Sequence, residues 1–383
     1  MIRKILIYCY EYPPIGGGAG NALRHLCREW VRSGVECTVI TSAFRDAAGE
    51  SAEEGVRIIR LPVGRAEAGR GRVGEMLRYI WASGSGAQAL VERFKPDLVI
   101  GFMTLPSGVA PYRLHKKFKL PYVTELRGGD VPGFDPGSLA LYHAVTRPYI
   151  HAIWRRSALV IANSEGLADL ARKSCVRTPV QVVPNGIDTE FFKPDPAVRD
   201  VSALHCVYVG RMVESQKRVG LLIRACAQVP SMRLSLVGAG PDEAEYKNMA
   251  GALAPGRVTF HGWAGKQELL KVLQSAHVYV SASGWEGMPN AALEAMACGL
   301  PLILSKAAGH EELVVDGVNG RLVNSASVDS WVAELKQWEH RQERLAMMGV
   351  ASRDRALQRH DWAIIARDRL KLYQQALQKA AVH

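Results

Sequence analysis

The chain has 383 residues, with 48 Lys and Arg against 37 Asp and Glu, a formal net charge of +11. That length predicts about two domains of globular composition. No apolar run approaches the ~20 residues that span a bilayer, and the opening Met1-Ile-Arg-Lys-Ile-Leu-Ile-Tyr turns polar too soon for a signal peptide, so a cytoplasmic protein is expected.

The seven cysteines (9, 27, 37, 175, 206, 226 and 298) are scattered and form no Cys-x-x-Cys pair. Neither a zinc site nor a disulfide framework is implied. Residues 1–180 carry 25 Lys and Arg against 16 Asp and Glu, and the remainder 23 against 21, so the basic surplus belongs to the N-terminal half. Such a surface suits an anionic membrane, a phosphate-bearing acceptor or nucleic acid. No zinc finger or aromatic RNA-binding signature is present, so no nucleic-acid partner is expected.

In chain order, a strand is predicted over 5–9, followed by Glu11-Tyr-Pro-Pro and the cluster Ile15-Gly-Gly-Gly-Ala-Gly20. A helix with Leu23, Leu26, Trp30 and Val31 on one face comes next, then a strand over 35–40. This β–Gly-rich loop–α–β opening is that of a Rossmann-like half. The glycine spacing is not Gly-x-Gly-x-x-Gly, and Ile40-Thr-Ser-Ala stands where an acidic residue would follow the second strand, so NAD binding is discounted. A strand over 56–61 leads into the basic, Gly-rich stretch 65–72, read as a mobile loop. Val73, Met76, Leu77, Ile80 and Trp81 then recur at helical spacing, accompanied by Arg70, Arg72 and Arg78. This stripe fits an ordinary helix lying on a sheet, the reading favoured in an α/β layer, or a helix resting on a membrane surface. Arg113, Lys116, Lys117 and Lys119 form a second basic cluster.

Strands are predicted over 96–102 and 121–125; the latter runs into Leu126-Arg-Gly-Gly-Asp-Val. Arg127 and Asp130 thus stand at the carboxyl end of a strand, where parallel sheets bind ligands, although an Asp after Gly-Gly also serves as a turn residue. A helical stretch with Trp154-Arg-Arg precedes strands over 159–162 and 180–183, then Pro184-Asn-Gly-Ile-Asp188. The domain boundary falls near 185–195, with Lys193-Pro-Asp-Pro as linker.

The second domain repeats the pattern. A strand over 206–209 ends in Gly210-Arg211, and Lys217 follows before a helix over 221–227. Two cations at a strand end and a helix start suit a diphosphate. Strands over 234–237, followed by Gly238-Ala-Gly, and over 258–261 come next. The stretch 278–305 is a βαβ unit: a strand over 278–281, a small-residue loop, Pro289 at the first helical position, a helix over 290–298 stopped by Gly299, and a strand over 302–305. The helix N-terminus suits a phosphate, and Gly284 and Gly287 allow close backbone approach. A carboxylate there would repel an anion, so Glu286 and Glu294 are expected to bind sugar or ribose hydroxyls; spacing alone fits equally an ordinary α/β helix start with Glu286 a surface residue.

Gly-Trp-Glu286-Gly-Met-Pro-Asn-Ala-Ala-Leu-Glu294-Ala-Met-Ala-Cys-Gly-Leu-Pro closely resembles the signature of the retaining glycosyltransferases of family 4, or group 1. The resemblance is strong over 206–323 and weaker over 1–180. It implies an α/β protein of the B-type glycosyltransferase (GT-B) fold, two Rossmann-like domains facing across a cleft. The N-terminal domain (1–187) would bind the acceptor and the C-terminal domain (188–358) the nucleotide sugar, and a final helix (359–383) would cross back. Carried over residue by residue, it implies donor contacts at Gly17, Gly18, Gly210, Arg211, Lys217, Gly238, Glu286, Gly287, Met288, Pro289, Asn290 and Glu294. Glu286 would meet the sugar and Glu294 the ribose. Arg127 and Asp130 would lie on the acceptor side; many members have His where Arg127 stands, and Asp130 would orient an acceptor hydroxyl. Ser215-Gln216 replaces the usual acidic residue before Lys217.

The implied reaction moves a sugar from a UDP- or GDP-type donor to a glycan or lipid-linked acceptor, as in bacterial cell-surface polysaccharide or lipopolysaccharide synthesis, with peripheral attachment at the inner membrane face left open. No cofactor or metal is expected: no Asp-x-Asp pair is placed on a diphosphate, and Arg211, Lys217 and helix amides can neutralise the leaving group. Glu286 and Glu294 lie eight residues apart, ~12 Å along a helix, against the ~5–5.5 Å of a double-displacement pair. Front-face transfer, consistent with the family, is expected instead, and the resemblance implies Glu286, Arg211, Lys217 and Asp130 as catalytic residues. A non-hydrolysing sugar-nucleotide epimerase of the same fold, or a non-catalytic sugar-nucleotide-binding protein, remains an alternative.

Overall fold

The computed structural model describes residues 2–382 apart from 16, 46, 68–70, 136, 138, 177, 196–202, 325 and 340. Arg70 of the expected basic stripe and Pro196 of the expected linker lie outside the described residues. The chain forms two units: residues up to Asn185 together with the chain from Trp362 onward, and Gly186–Asp361.

The N-terminal unit runs β1 (Lys4–Cys9), α1 (Gly18–Arg32), β2 (Glu36–Phe44), β3 (Gly49–Glu53), β4 (Val56–Arg65), α2 (Val73–Ser85), α3 (Ala87–Phe94) and β5 (Leu98–Phe102). It continues with α4 (Val109–Phe118), β6 (Tyr122–Leu126), α5 (Ala140–Arg156), β7 (Leu159–Ala162), α6 (Glu165–Ser174) and β8 (Val180–Val182). The sheet order is β3-β4-β2-β1-β5-β6-β7-β8, parallel throughout except for β3. β5, β6 and β7 are buried along their whole length, as the centre of a doubly wound sheet requires. Val56 to Arg65 form one continuous strand, so Arg65 is no part of a mobile loop. Its guanidinium is buried, ion-paired to Glu11 at 3.1 Å and stacked 4.7 Å from the Tyr10 ring centre.

The favoured reading of the 73–81 stripe holds only in part: α2 lies on β4, but three of the five stripe residues are exposed. α2 packs inward through Glu75, Tyr79 and Ser83, with Met76 against Tyr10 and Val63, while Val73, Leu77 and Trp81 face outward. A polar contact decides this. The Tyr79 hydroxyl donates to the Ile40 carbonyl at 2.8 Å, and Glu75 accepts from the amides of Ala66 and Arg72 at 3.1 and 2.8 Å.

The C-terminal unit runs β9 (Leu204–Val209), a short turn of helix α7 (Glu214–Lys217), α8 (Val219–Gln228), β10 (Met232–Val237), α9 (Glu243–Leu253), β11 (Val258–Gly262) and α10 (Lys266–Ser275). β12 (Val278–Ser281), α11 (Asn290–Ala297), β13 (Leu302–Ser305), β14 (Gly320–Val323), α12 (Val328–Lys336) and α13 (Gln342–Arg359) complete it. Its six strands are parallel in the order β11-β10-β9-β12-β13-β14. One face is closed by α8, α9 and α12, the other by α10 and α11. The last helix, α14 (Trp362–Val382), belongs to the N-terminal unit and lies against α1; the Trp30 indole donates to the Ala366 carbonyl at 3.0 Å.

Candidate active site

Sheet order places the site in the C-terminal unit. From β9 the chain winds outward through β10 and β11; it then returns to β12 on the other side of β9 and winds outward again. The crevice above the carboxyl ends of β9 and β12 is the topological switch point, the ordinary ligand position of such sheets. Gly210 and Arg211 follow β9, and the loop carrying Glu286 follows β12.

Two segments interlock there, 216–218 after β9 and 284–286 after β12. The Gly284 backbone amide donates to the Gln216 backbone carbonyl at 2.8 Å, and the Gln216 side-chain Nε2 donates to the Trp285 carbonyl at 3.2 Å. The Arg218 guanidinium lies so close to Gly284 that a Cβ there would come within 2.9 Å of it. These contacts bring Lys217 onto Glu286, and its ammonium forms a hydrogen-bonded ion pair with that carboxylate, both side chains mostly buried. Gln216 and Arg218 were missed by sequence reasoning; their position flanking Lys217 was the only signal available. Arg211 is exposed, and its carbonyl accepts from the Tyr208 hydroxyl at 2.9 Å.

Two glycines are required by close approach. Gly238 has φ +126°, and a Cβ there would meet the Gly210 carbonyl oxygen at 2.0 Å. Gly309 has φ +82°, and a Cβ there would meet the Gly287 carbonyl oxygen at 2.2 Å. Next to it the buried His310 ring lies with Nδ1 2.9 Å from the Ser305 carbonyl, an atom that only accepts, so Nδ1 carries the proton. Burial lowers its pKa and keeps the ring neutral; Nε2, an acceptor, makes no hydrogen bond among the described residues.

α11 starts one residue later than expected: Pro289 is the N-cap, in extended conformation, and Asn290 the first helical residue. With no hydroxyl or carboxylate cap, the first-turn amides are not taken by the cap side chain. Met288 is buried in the core and anchors the loop, and Gly299 ends the helix with φ +70°. Glu294 lies half-buried within α11; the burial of its carboxyl pushes it up to about 7, opposed only by the charge of Lys266.

Gly17, Gly18, Arg127 and Asp130 lie in the N-terminal unit. Gly17 and Gly18 are exposed at the start of α1, and a Cβ on Gly17 meets nothing within 4 Å. The sterically required glycine of that cluster is Gly20, where a Cβ would meet the Glu11 carbonyl at 2.7 Å. Asp130 does not fit the expected catalytic role. One oxygen accepts from the Thr104 amide and hydroxyl at 2.8 and 3.1 Å, the other from the Arg127 and Gly128 amides at 2.9 and 3.0 Å. A carboxylate offers about four acceptor sites, so this one is committed to joining two loops. Arg127 is buried over the Phe102 ring and donates to Asn185 Oδ1 at 2.7 Å. Burial and the nearby Arg369 charge lower its pKa to about 10.

Residues 203–340 match the family model described as glycosyl transferases group 1, and residues 17–186 the model described as glycosyl transferase 4-like domain. The chain is 27% identical to D-inositol 3-phosphate glycosyltransferase of Corynebacterium aurimucosum, over 96% of this chain and 93% of that protein. Other curated glycosyltransferases are matched over 52–63% of their own length. Among solved structures, sucrose-phosphate synthase of Thermosynechococcus elongatus superposes with a TM-score of 0.84 at 22% identity, covering 99% of this chain and 100% of that one. HepE of Anabaena, solved with UDP-glucose, superposes at 0.73 and 20% identity over 99% and 100% of the two chains. The fold is the B-type glycosyltransferase fold, and the chain belongs to the group 1, family 4 glycosyltransferases.

Proposed function

We propose that the protein transfers a sugar from a nucleoside-diphosphate sugar of UDP or GDP type to a glycan or lipid-linked acceptor, with retention of configuration and without a metal. The observation that carries this reading is the Lys217–Glu286 ion pair at the switch point, beside the N-terminus of α11. An ammonium has three donors; with one engaged by Glu286, the others are available to diphosphate oxygens, and Arg211 adds a second cation. Glu286 then faces the sugar and Glu294 the ribose. The C1–O bond to the diphosphate breaks, the acceptor oxygen bonds to C1 on the same face, and the acceptor proton passes to the departing phosphate oxygen. Lys217, Arg211 and the α11 amides stabilise the charge that develops on it. A relative named as a GDP-mannose-dependent phosphatidylinositol monomannoside mannosyltransferase and a structural neighbour solved with UDP-glucose support the donor and acceptor classes.

A thermal-shift screen of UDP-, GDP- and ADP-sugars with and without EDTA tests the reading. Donor at ~100 Kd is expected to add about 2.7 kcal/mol, unaffected by EDTA. No stabilisation by any donor refutes the site assignment. Glu286→Gln is expected to lower kcat/KM by at least about 100-fold, about 2.7 kcal/mol; near-normal kcat and KM would remove Glu286 from the mechanism. Product analysis without acceptor separates transfer from epimerisation.

A further inference from the structure

We infer that the outer face of α2, α4 and α5 is a docking surface for an anionic lipid bilayer. On α2, Val73, Leu77 and Trp81 are 67%, 61% and 75% exposed, one every turn. On α5, Leu141 and Val145 are 79% and 74% exposed, and Tyr149 continues their row. α4 joins the two helices: Tyr112 packs edge-on against Tyr149 of α5 with ring centres 5.7 Å apart, and the Arg113 guanidinium lies against Gly84 of α2, where a Cβ would be 3.4 Å away. A groove of about 390 Å³ opens between α2, α3 and α4, floored by Leu114 and Phe118 and bordered by Trp81, Arg113 and Lys117.

Charge selects the occupant. α2, α4 and α5 carry seven Lys and Arg, all exposed, Arg113, Lys116, Lys117 and Arg147 among them. Their only carboxylate, Glu75, is buried and spent on backbone amides. The neighbouring α3 adds one charge of each sign, Glu92 and Arg93. Apolar side chains raised singly from a cationic surface, with a Trp and a Tyr among them, match the acyl–headgroup boundary: their bodies enter it while the cations stay at phosphate level. Juxtamembrane cations are attracted to anionic lipid within a Debye length. Each of the two rows is a helix stripe, and neither is needed for folding, because both helices pack through their other sides.

The test is co-sedimentation of the full chain with phosphatidylcholine vesicles that contain or lack phosphatidylglycerol, at low and high salt. The wild type is expected to bind the charged vesicles at low salt. Leu77→Ser with Trp81→Ser, and separately Lys116→Glu with Lys117→Glu, are each expected to weaken binding at least about tenfold with an unchanged unfolding transition. No binding by the wild type, equal binding to uncharged vesicles, or variants that bind as the wild type would overturn the inference. So would a dimer formed without vesicles and dissolved by the Leu77/Trp81 pair, since the face would then be an interface between copies. Vesicle binding needs neither donor nor turnover, so it stands or fails separately from the proposed transfer.

Discussion

Glu294 offers a test whose sign follows from its surroundings. Burial raises its carboxyl from 4.5 to about 7, and Lys266 only partly offsets the effect. Between those pH values the folded chain holds a proton that the unfolded chain has released. Stability therefore falls as pH rises through this window and levels off above about 7. At about 1.36 kcal/mol per pH unit the ceiling is about 3 kcal/mol, reduced by whatever solvent still reaches the side chain. Glu294→Gln keeps the shape and removes the titration. The variant is expected to match the wild type near pH 4.5 and to be more stable by up to about 3 kcal/mol at pH 8. Urea unfolding of donor-free protein across this range, with m-values compared at each pH, measures the difference. A difference between the two proteins that does not grow with pH would refute the reasoning.

Two further outcomes follow from buried contacts. Glu125, fully buried in β6, is held by Arg369 at 3.1 Å and by the Tyr373 hydroxyl at 2.7 Å, both on α14; Arg369 also donates to the carbonyls of Val183 and Pro184. Arg369→Met is expected to cost about 3 kcal/mol, seen as a lower urea midpoint, because it leaves the buried carboxylate with only the Tyr373 hydroxyl and the more distant Arg127 guanidinium, 3.9 Å away; adding Glu125→Gln should recover part of the loss, and a wild-type midpoint for the single variant would contradict this. Gly309→Ala forces a Cβ against the Gly287 carbonyl and is expected to displace the Glu286 loop, weakening donor affinity at least about tenfold, about 1.4 kcal/mol, by isothermal titration. Unaltered affinity would show that this close approach does not shape the site.

The strands over 159–162, 278–281 and 302–305 were legible to the residue, because each is a short apolar run buried on both faces and bounded by turn formers. β3 was not: Gly49-Glu-Ser-Ala-Glu53 has no apolar pattern and is held at the sheet edge by pairing with β4, reinforced by Arg57–Glu50 and Arg60–Glu53 ion pairs. Gly238 and Glu286 were singled out by the family resemblance, and in the fold Gly238 packs on the Gly210 carbonyl and Glu286 pairs with Lys217, whereas the importance of Gly20 over Gly17 depends on a carbonyl nine residues away in the chain.

The sequence by itself determined the alternation of strand and helix, the family, and the two loops that follow β9 and β12, since all of these are written in local runs and short spacings. Only the tertiary structure decided which side of α2 is buried, that Asp130 is consumed by Thr104 and its own loop, and that Lys217 closes on Glu286. The physical reason is the same in each case. Periodicity defines a face but not its neighbour, and a polar group's role depends on which donors the fold brings within hydrogen-bonding distance.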